Sequence, residues 1–110
     1  MREYFYRYHD VLYSSGSEEF FNYGISVRLY LTRYLVVKHT PKGVWLCTHS
    51  LDDQPDKFIL LSATKRWACP TKEEALESFK KRKQRQISIL SGQIARANEA
   101  LFKANEEVIE

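Results

Sequence analysis

An arginine and a tryptophan are adjacent in the second half of this sequence, and two further arginines follow within 20 residues. Arg66 and Trp67 are adjacent, and Arg82 and Arg85 follow in a basic segment. A guanidinium can bind a phosphate through two parallel N–H donors, and an aromatic ring can stack on a nucleobase or a cation. These residue types therefore predict a site for a small nucleotide ligand at Arg66, Trp67, Arg82 and Arg85.

Arg28 and Tyr30 form a second group suited to the same chemistry. They alternate with apolar residues in a predicted strand, so they share one face with Tyr34. We expect three tyrosines of the preceding strand beside them if the two strands pair. The alternative is that the rings only stabilise the sheet, because aromatic residues favour strands. The three tyrosines are Tyr4, Tyr6 and Tyr8.

Catalytic and metal-binding patterns are weak. The sequence has no Gly-x-Ser-x-Gly elbow, no glycine-rich phosphate loop and no His-Glu-x-x-His motif. Cys47 and His49, with Cys69 and His39, offer zinc ligands, but structural zinc sites usually have tighter, paired spacings. We therefore expect no enzymatic activity, no cofactor and no metal.

Nucleic acid is an alternative ligand. The run from Lys80 to Arg85 contains five basic residues and could contact phosphates. Against this, the formal net charge is only +3, and basic residues on one turn of a helix often form only a solvated surface.

The elements that would position these residues are strands first and a helix last. Alternating patterns predict strands, and a Pro-Lys-Gly turn after Thr40 predicts a hairpin. Short polar links favour an antiparallel meander, which gives an α+β fold with a sheet of four to five strands and a long C-terminal helix. The predicted strands are 2–13, 25–39, 44–49, 57–62 and a short fifth at 65–68. The predicted connections are loops at 14–19 and 50–56, with 20–24 ambiguous between a turn and a bulged strand.

The second strand has one apolar face, which we expect to be the core face. Its residues alternate between apolar and polar side chains, as in a strand with one face buried. The apolar set consists of Val27, Leu29, Leu31, Leu35 and Val37.

A helix is predicted from Thr71 to Glu110. Thr71 is an N-cap, Glu74 completes a capping box, and Pro70 precedes them. Gly92 could divide the helix, but the apolar spacing keeps its phase there, which favours one continuous helix. We assign residues 1–70 to the sheet and 71–110 to the helix, within one domain, with the first helical turns covering the sheet through Ala75, Leu76 and Phe79.

Beyond Phe79 the apolar residues of the helix follow the 4-3 spacing of a coiled-coil seam. A helix of this length would span roughly 60 Å, whereas a compact chain of this size has a radius of gyration of about 13 Å. The seam therefore predicts a homo-oligomer. Lys83 would face Glu107 in an antiparallel pair, which favours antiparallel over parallel pairing. The predicted interface consists of Ile87, Leu90, Ile94, Ala97, Leu101, Ala104 and Val108.

Composition predicts a cytoplasmic protein. The chain has 44% hydrophobic residues, but no apolar run that could cross a membrane and no apolar signal region at its start. Its two cysteines form no disulfide framework, so we expect reduced thiols.

Several segments resemble a group of small, uncharacterised proteins encoded by tailed phages and prophages. The segments are 40–45, 65–76, 78–79, 82–83 and 86–87, within a similarity that covers about two-thirds of the chain. The resemblance implies an antiparallel sheet followed by a long helix. It also implies a non-enzymatic phage protein that inhibits bacterial immunity, either by sequestering a nucleotide second messenger or by blocking a defence complex.

Overall fold

The computed structural model describes residues 2–14, 25–49 and 54–109. Within these residues, four consecutive strands pair antiparallel in the order β1-β2-β3-β4, and one helix follows them. The predicted α+β fold is confirmed. The predictions for residues 15–24 and for 50–53 lie outside the described residues. The elements are β1 (Tyr4–Ser14), β2 (Ile25–His39), β3 (Gly43–Cys47), β4 (Lys57–Leu60) and α1 (Lys72–Glu106).

The predicted hairpin turn joins β2 to β3. The Gly43 backbone N–H donates to the Thr40 hydroxyl oxygen at 3.1 Å, and the Thr40 backbone N–H donates to the Gly43 carbonyl at 2.9 Å. A Cβ on Gly43 would lie 2.0 Å from the carbonyl oxygen of Ile59 on β4. The close approach of β4 therefore requires glycine at this position.

The core lies on the face of β2 opposite to the predicted one. Tyr34 and Val36 pack against the buried cluster, whereas Val27 is 62% and Leu29 is 48% exposed. The prediction that the odd-numbered apolar residues of β2 face the core is therefore wrong for the first part of the strand, which contains Val27 and Leu29. The prediction failed because residues from other parts of the chain cover the sheet. They pack on the face that carries the even-numbered side chains of β2. The buried cluster consists of Phe5, Val44, Leu46, Ile59 and Ala68.

The segment between β4 and α1 covers this core face. Ala68 is 1% exposed, and Trp67 packs against the cluster. Cys69 exchanges two backbone hydrogen bonds with Tyr6, at 2.7 and 2.8 Å, on the edge of β1 that faces away from β2. The predicted fifth strand at 65–68 is absent from these described residues, because only Cys69 forms a bridge.

The helix begins at its predicted cap. The Thr71 hydroxyl accepts a hydrogen bond from the Glu74 backbone N–H at 3.1 Å. The helix continues without interruption through Gly92, so the favoured single helix is confirmed. No helix within the described ranges is both long enough and apolar enough to span a membrane.

Contacts divide the chain into two compact units, residues 1–79 and 80–110. In the first unit, Ala75 is buried, and Leu76 and Phe79 are half-buried. In the second unit, all described residues from 84 onward except Gly92 are exposed. The predicted seam residues are thus accessible, and Val108 lies just beyond the end of the helix. Ile89 and Phe102, outside the seam, are 50% and 64% exposed, so the apolar surface is wider than predicted.

Candidate functional site

The register between β1 and β2 decides which aromatic residues share a face. Tyr30 lies opposite His9, and Arg28 lies opposite Val11. Directly opposed residues of an antiparallel pair point to the same face. The expectation that Tyr4, Tyr6 and Tyr8 lie beside Arg28 and Tyr30 is therefore wrong, because the register pairs odd residues of β1 with even residues of β2.

Four side chains form an aromatic cluster on this face, and we define it as His9, Tyr13, Arg28 and Tyr30. The rings of His9 and Tyr30 are stacked, with centroids 5.9 Å apart and planes at 23°. The Tyr13 and Tyr30 hydroxyls are hydrogen bonded, and the Arg28 guanidinium lies 4.8 Å from the centre of the Tyr13 ring. Tyr13 and Tyr30 are 39% and 37% exposed, so the cluster presents ring surface and a cation to solvent.

The hydroxyl pair changes the chemistry of Tyr13. The hydrogen bond with the Tyr30 hydroxyl, aided by partial burial, raises the pKa of Tyr13 above its ordinary value. The shift therefore extends the pH range over which Tyr13 remains a neutral hydrogen-bonding partner of Tyr30 beyond that of an ordinary tyrosine.

Trp67 lies on the same face of the sheet, in a second group of rings and cations. The Arg7 guanidinium lies 4.7 Å and the Lys57 ammonium 5.1 Å from the centre of its ring. The Tyr34 ring packs against it at 5.0 Å, and Arg7 donates to the Trp67 carbonyl oxygen at 2.6 Å. Two cationic side chains of the sheet, Arg7 and Lys57, therefore already contact the Trp67 ring.

The two groups lie along one line on β1. Arg7 is four residues before Val11, the residue opposite Arg28, which corresponds to roughly 13 Å along a strand. His9 lies between them, with its Nδ1 atom 3.5 Å from the Thr32 hydroxyl. The face therefore has a cationic group towards each end and aromatic rings between them, an arrangement suited to a ligand with separated phosphates and a planar base.

The predicted site residues divide between the two units. Arg28 and Tyr30 lie together in the aromatic cluster, and Trp67 lies in the second group. Arg66 instead lies 4.0 Å from a carboxylate oxygen of Glu74. Arg82 and Arg85 belong to the second unit, one helical turn apart, and their joint action with Arg66 and Trp67 stays a prediction.

The cysteines and histidines that the sequence offers as zinc ligands do not form a common site in the described structure. The Cys47 thiol donates to the His49 carbonyl at 2.9 Å, and His39 contacts Glu3 at 2.9 Å. In the part of the chain that the structure describes, no group of three or more His, Cys, Asp or Glu side chains could hold a metal ion.

Sequence reasoning missed four members of these two groups: Arg7, His9, Tyr13 and Lys57. The alternation of β1 already placed Arg7, His9 and Tyr13 on one face. The pattern of a single strand does not fix the register between β1 and β2, and the register brings these residues beside Arg28 and Tyr30. No sequence pattern indicated that Lys57 belongs to the second group, because its position against Trp67 depends on the path of the chain after β4.

Comparison of this chain with protein-family models, with curated proteins and with solved structures finds no match.

Proposed function

We propose that this protein is a phage-encoded counter-defence protein of the host cytoplasm. It binds a nucleotide-derived immune second messenger and sequesters it as a homo-oligomer. The aromatic cluster is the observation that supports this proposal most directly. Its rings can stack on a base, and Arg28 can pair with a phosphate in a bidentate manner.

The second group of residues supports a ligand larger than a mononucleotide. Arg7 and Lys57 add positive charge on the same face, and Arg7 lies about 13 Å along the strand from the position of Arg28. A cyclic di- or trinucleotide carries several phosphates and several bases, and could engage both groups at once.

The phage context rests on the resemblance of residues 40–45 and 65–90 to small phage and prophage proteins. Sequestration requires binding without turnover, which fits a chain with no recognisable catalytic motif. Self-association rests on the exposed apolar side chains of the helix in the second unit.

A thermal-shift panel of cyclic dinucleotides, cyclic trinucleotides and ADP-ribose derivatives tests the proposal. A ligand at 100 times its dissociation constant stabilises the folded state by about 2.7 kcal/mol, so at least one compound should raise the melting temperature by several degrees. No shift with any of these compounds would contradict the proposal.

Variants assign the binding to the aromatic cluster. Arg28→Ala and Tyr30→Ala should each abolish the ligand-induced shift. The matched control is Arg33→Ala, because Arg33 lies 4.2 Å from the ring centre of Tyr4 in the same kind of contact on the opposite face. Loss of the shift in all three variants alike would point to a general effect on folding.

Nucleic acid is the second candidate, supported by the basic turn of α1. Lys80, Lys81 and Arg85 are exposed there. Gel shifts with DNA and RNA should then weaken as salt rises, and Lys80→Glu with Lys83→Glu should abolish them. A protein that blocks a host defence complex directly would instead bind neither ligand and would retain a protein partner during purification.

A further inference from the structure

Within the described residues, one edge of β2 is open over most of its length. β1 pairs with β2 from Ile25 to Leu35, but on the other side β3 pairs only with the segment from Leu35 to His39. Among the residues that the structure describes, no strand pairs with this second edge between residues 25 and 34. An open edge of this length is a template for another strand.

The backbone groups on that edge can be assigned. The Val36 N–H donates to the Glu3 carbonyl at 2.9 Å, so even-numbered residues of β2 direct their backbone groups towards β1. The odd-numbered residues therefore direct their N–H and C=O groups to the open edge. Val27, Leu29 and Leu31 lie in this stretch.

The same three residues carry an apolar surface on the sheet. Their side chains are 62%, 48% and 37% exposed, and Leu12 on β1 adds to them at 67%. They lie on the face opposite to the aromatic cluster. Of the strands that the structure describes, two form this part of the sheet, and a two-stranded ribbon alone is marginally stable in water.

We propose that the open edge of β2 pairs antiparallel with the same edge of a second copy of this chain, across a two-fold axis at Leu29. A two-fold axis perpendicular to the sheet places each face beside the same face of the second copy. Leu29 then lies opposite Leu29, and Val27 lies opposite Leu31. Each exposed apolar residue of the edge gains an apolar neighbour.

Charge selects this register. With the axis at Leu29, Arg28 lies opposite Tyr30 of the second copy, where a cation can contact a ring. An axis at Arg28 would oppose two guanidinium groups. An axis at Tyr30 would place Arg28 opposite Thr32 and lose this contact, and an axis at Leu31 would extend the pairing to Leu35, where β3 already occupies the edge.

The length of the edge fits as well. The register pairs residues 25–33 with residues 33–25 of the second copy, and it stops just before Leu35, where β3 begins to occupy the edge. The four-stranded ribbon formed in this way joins the two aromatic clusters on one face, with Arg28 of each copy beside Tyr30 of the other. This pairing does not depend on the helix seam or on any ligand.

Cysteine cross-linking of the full chain tests the proposal. Opposed residues in a hydrogen-bonded antiparallel pair have Cα atoms about 5.5 Å apart, within the range that a disulfide spans. Under mild oxidation, Leu29→Cys should form a covalent dimer roughly 100-fold faster than Leu12→Cys, since pairing holds the thiols at a millimolar effective concentration. Leu12→Cys is the matched control, because Leu12 is exposed on the same face but belongs to β1. The natural Cys47 and Cys69 are both buried, which keeps the background low.

The register has its own test. A mixture of Val27→Cys and Leu31→Cys chains should cross-link as a heterodimer faster than either variant cross-links alone. The proposal is overturned if Leu29→Cys reacts no faster than Leu12→Cys while both variants keep the wild-type melting temperature. It is also overturned if the advantage of Leu29→Cys disappears when Ile94→Glu and Leu101→Glu disrupt the helix seam. A nucleotide panel without any hit would leave these cross-linking ratios unchanged.

Discussion

Tyr30 is the residue on which the candidate site depends most. It stacks on His9, shares a hydrogen bond with Tyr13, and keeps more than a third of its surface exposed. A ring held between two neighbours loses little freedom when a base stacks on it, and preorganisation of this kind favours binding.

The hydroxyl pair gives a direct test at the residue scale. Tyr30→Phe removes the partner hydroxyl, so the pKa of Tyr13 should fall towards its ordinary value of 10.0. NMR titration of ring carbons labelled at tyrosine measures the change. The raised pKa means that the contact stabilises the fold below pH 10 and that this contribution is lost as Tyr13 ionises at higher pH. Tyr4→Phe, on the other face, should leave the titration of Tyr13 unchanged; an unchanged titration in Tyr30→Phe would contradict the account.

Asp56 should make stability depend on acid pH. The Thr48 hydroxyl and backbone N–H both donate to its carboxylate, and His49 lies 2.9 Å away, which lowers the pKa of Asp56 below 3.8. The contribution is therefore complete above about pH 4 and is lost as pH falls through the depressed value. Asp56→Asn should melt at a lower temperature than wild type at pH 7, and the difference should shrink towards pH 2. A difference that stays constant over this range would contradict the assignment.

At the scale of elements, the sequence predicted most of the architecture but not the side of the sheet that is buried. β2 was predicted with its observed bounds, and the start of α1 followed from Thr71 and Glu74, because local patterns encode these features. The buried face depends on the segment from residues 61 to 69, which reaches the far edge of β1 and brings Trp67 over the core. A long-range path of this kind leaves no periodic signal, so the apolar row with Leu29 was assigned to the wrong side.

Two glycines in different elements should respond in opposite ways to the same substitution. Gly43→Ala forces a Cβ against the Ile59 carbonyl oxygen and should destabilise the fold by about 2 kcal/mol or more. Gly92→Ala in α1 meets only the tip of Arg96 at 3.5 Å and should stabilise the helix by up to about 1 kcal/mol. Chemical denaturation of both variants measures these changes. Destabilisation by Gly92→Ala would contradict a continuous helix.

At the scale of the whole molecule, charge is distributed unevenly along the chain. Residues 1–70 carry 9 basic and 7 acidic side chains, residues 71–85 carry 6 and 3, and residues 86–110 carry 2 and 4. The positive excess, +2 and then +3, therefore gives way to −2 along the helix. Opposite ends of two antiparallel helices would complement each other, although exposed ion pairs contribute only about 0 to 1 kcal/mol and apolar burial must supply most of the affinity.

The helix seam should be necessary for association through the second unit. Ile94→Lys with Leu101→Lys places charges in the predicted interface and should shift sedimentation towards smaller species at micromolar concentration. Ala95→Lys is the control, because this position lies outside the 4-3 pattern and should leave the distribution unchanged. An identical response of both variants would argue against the seam.

Native mass spectrometry of freshly purified protein tests the central claim, a self-associating nucleotide binder, most directly. We expect an oligomer with an even number of chains that retains additional mass in the range of a nucleotide-derived ligand. We expect Arg28→Ala with Tyr30→Ala to lose that added mass, while the helix seam still associates the chains. Single chains at high concentration, with no added mass and none gained from the nucleotide panel, would contradict the account.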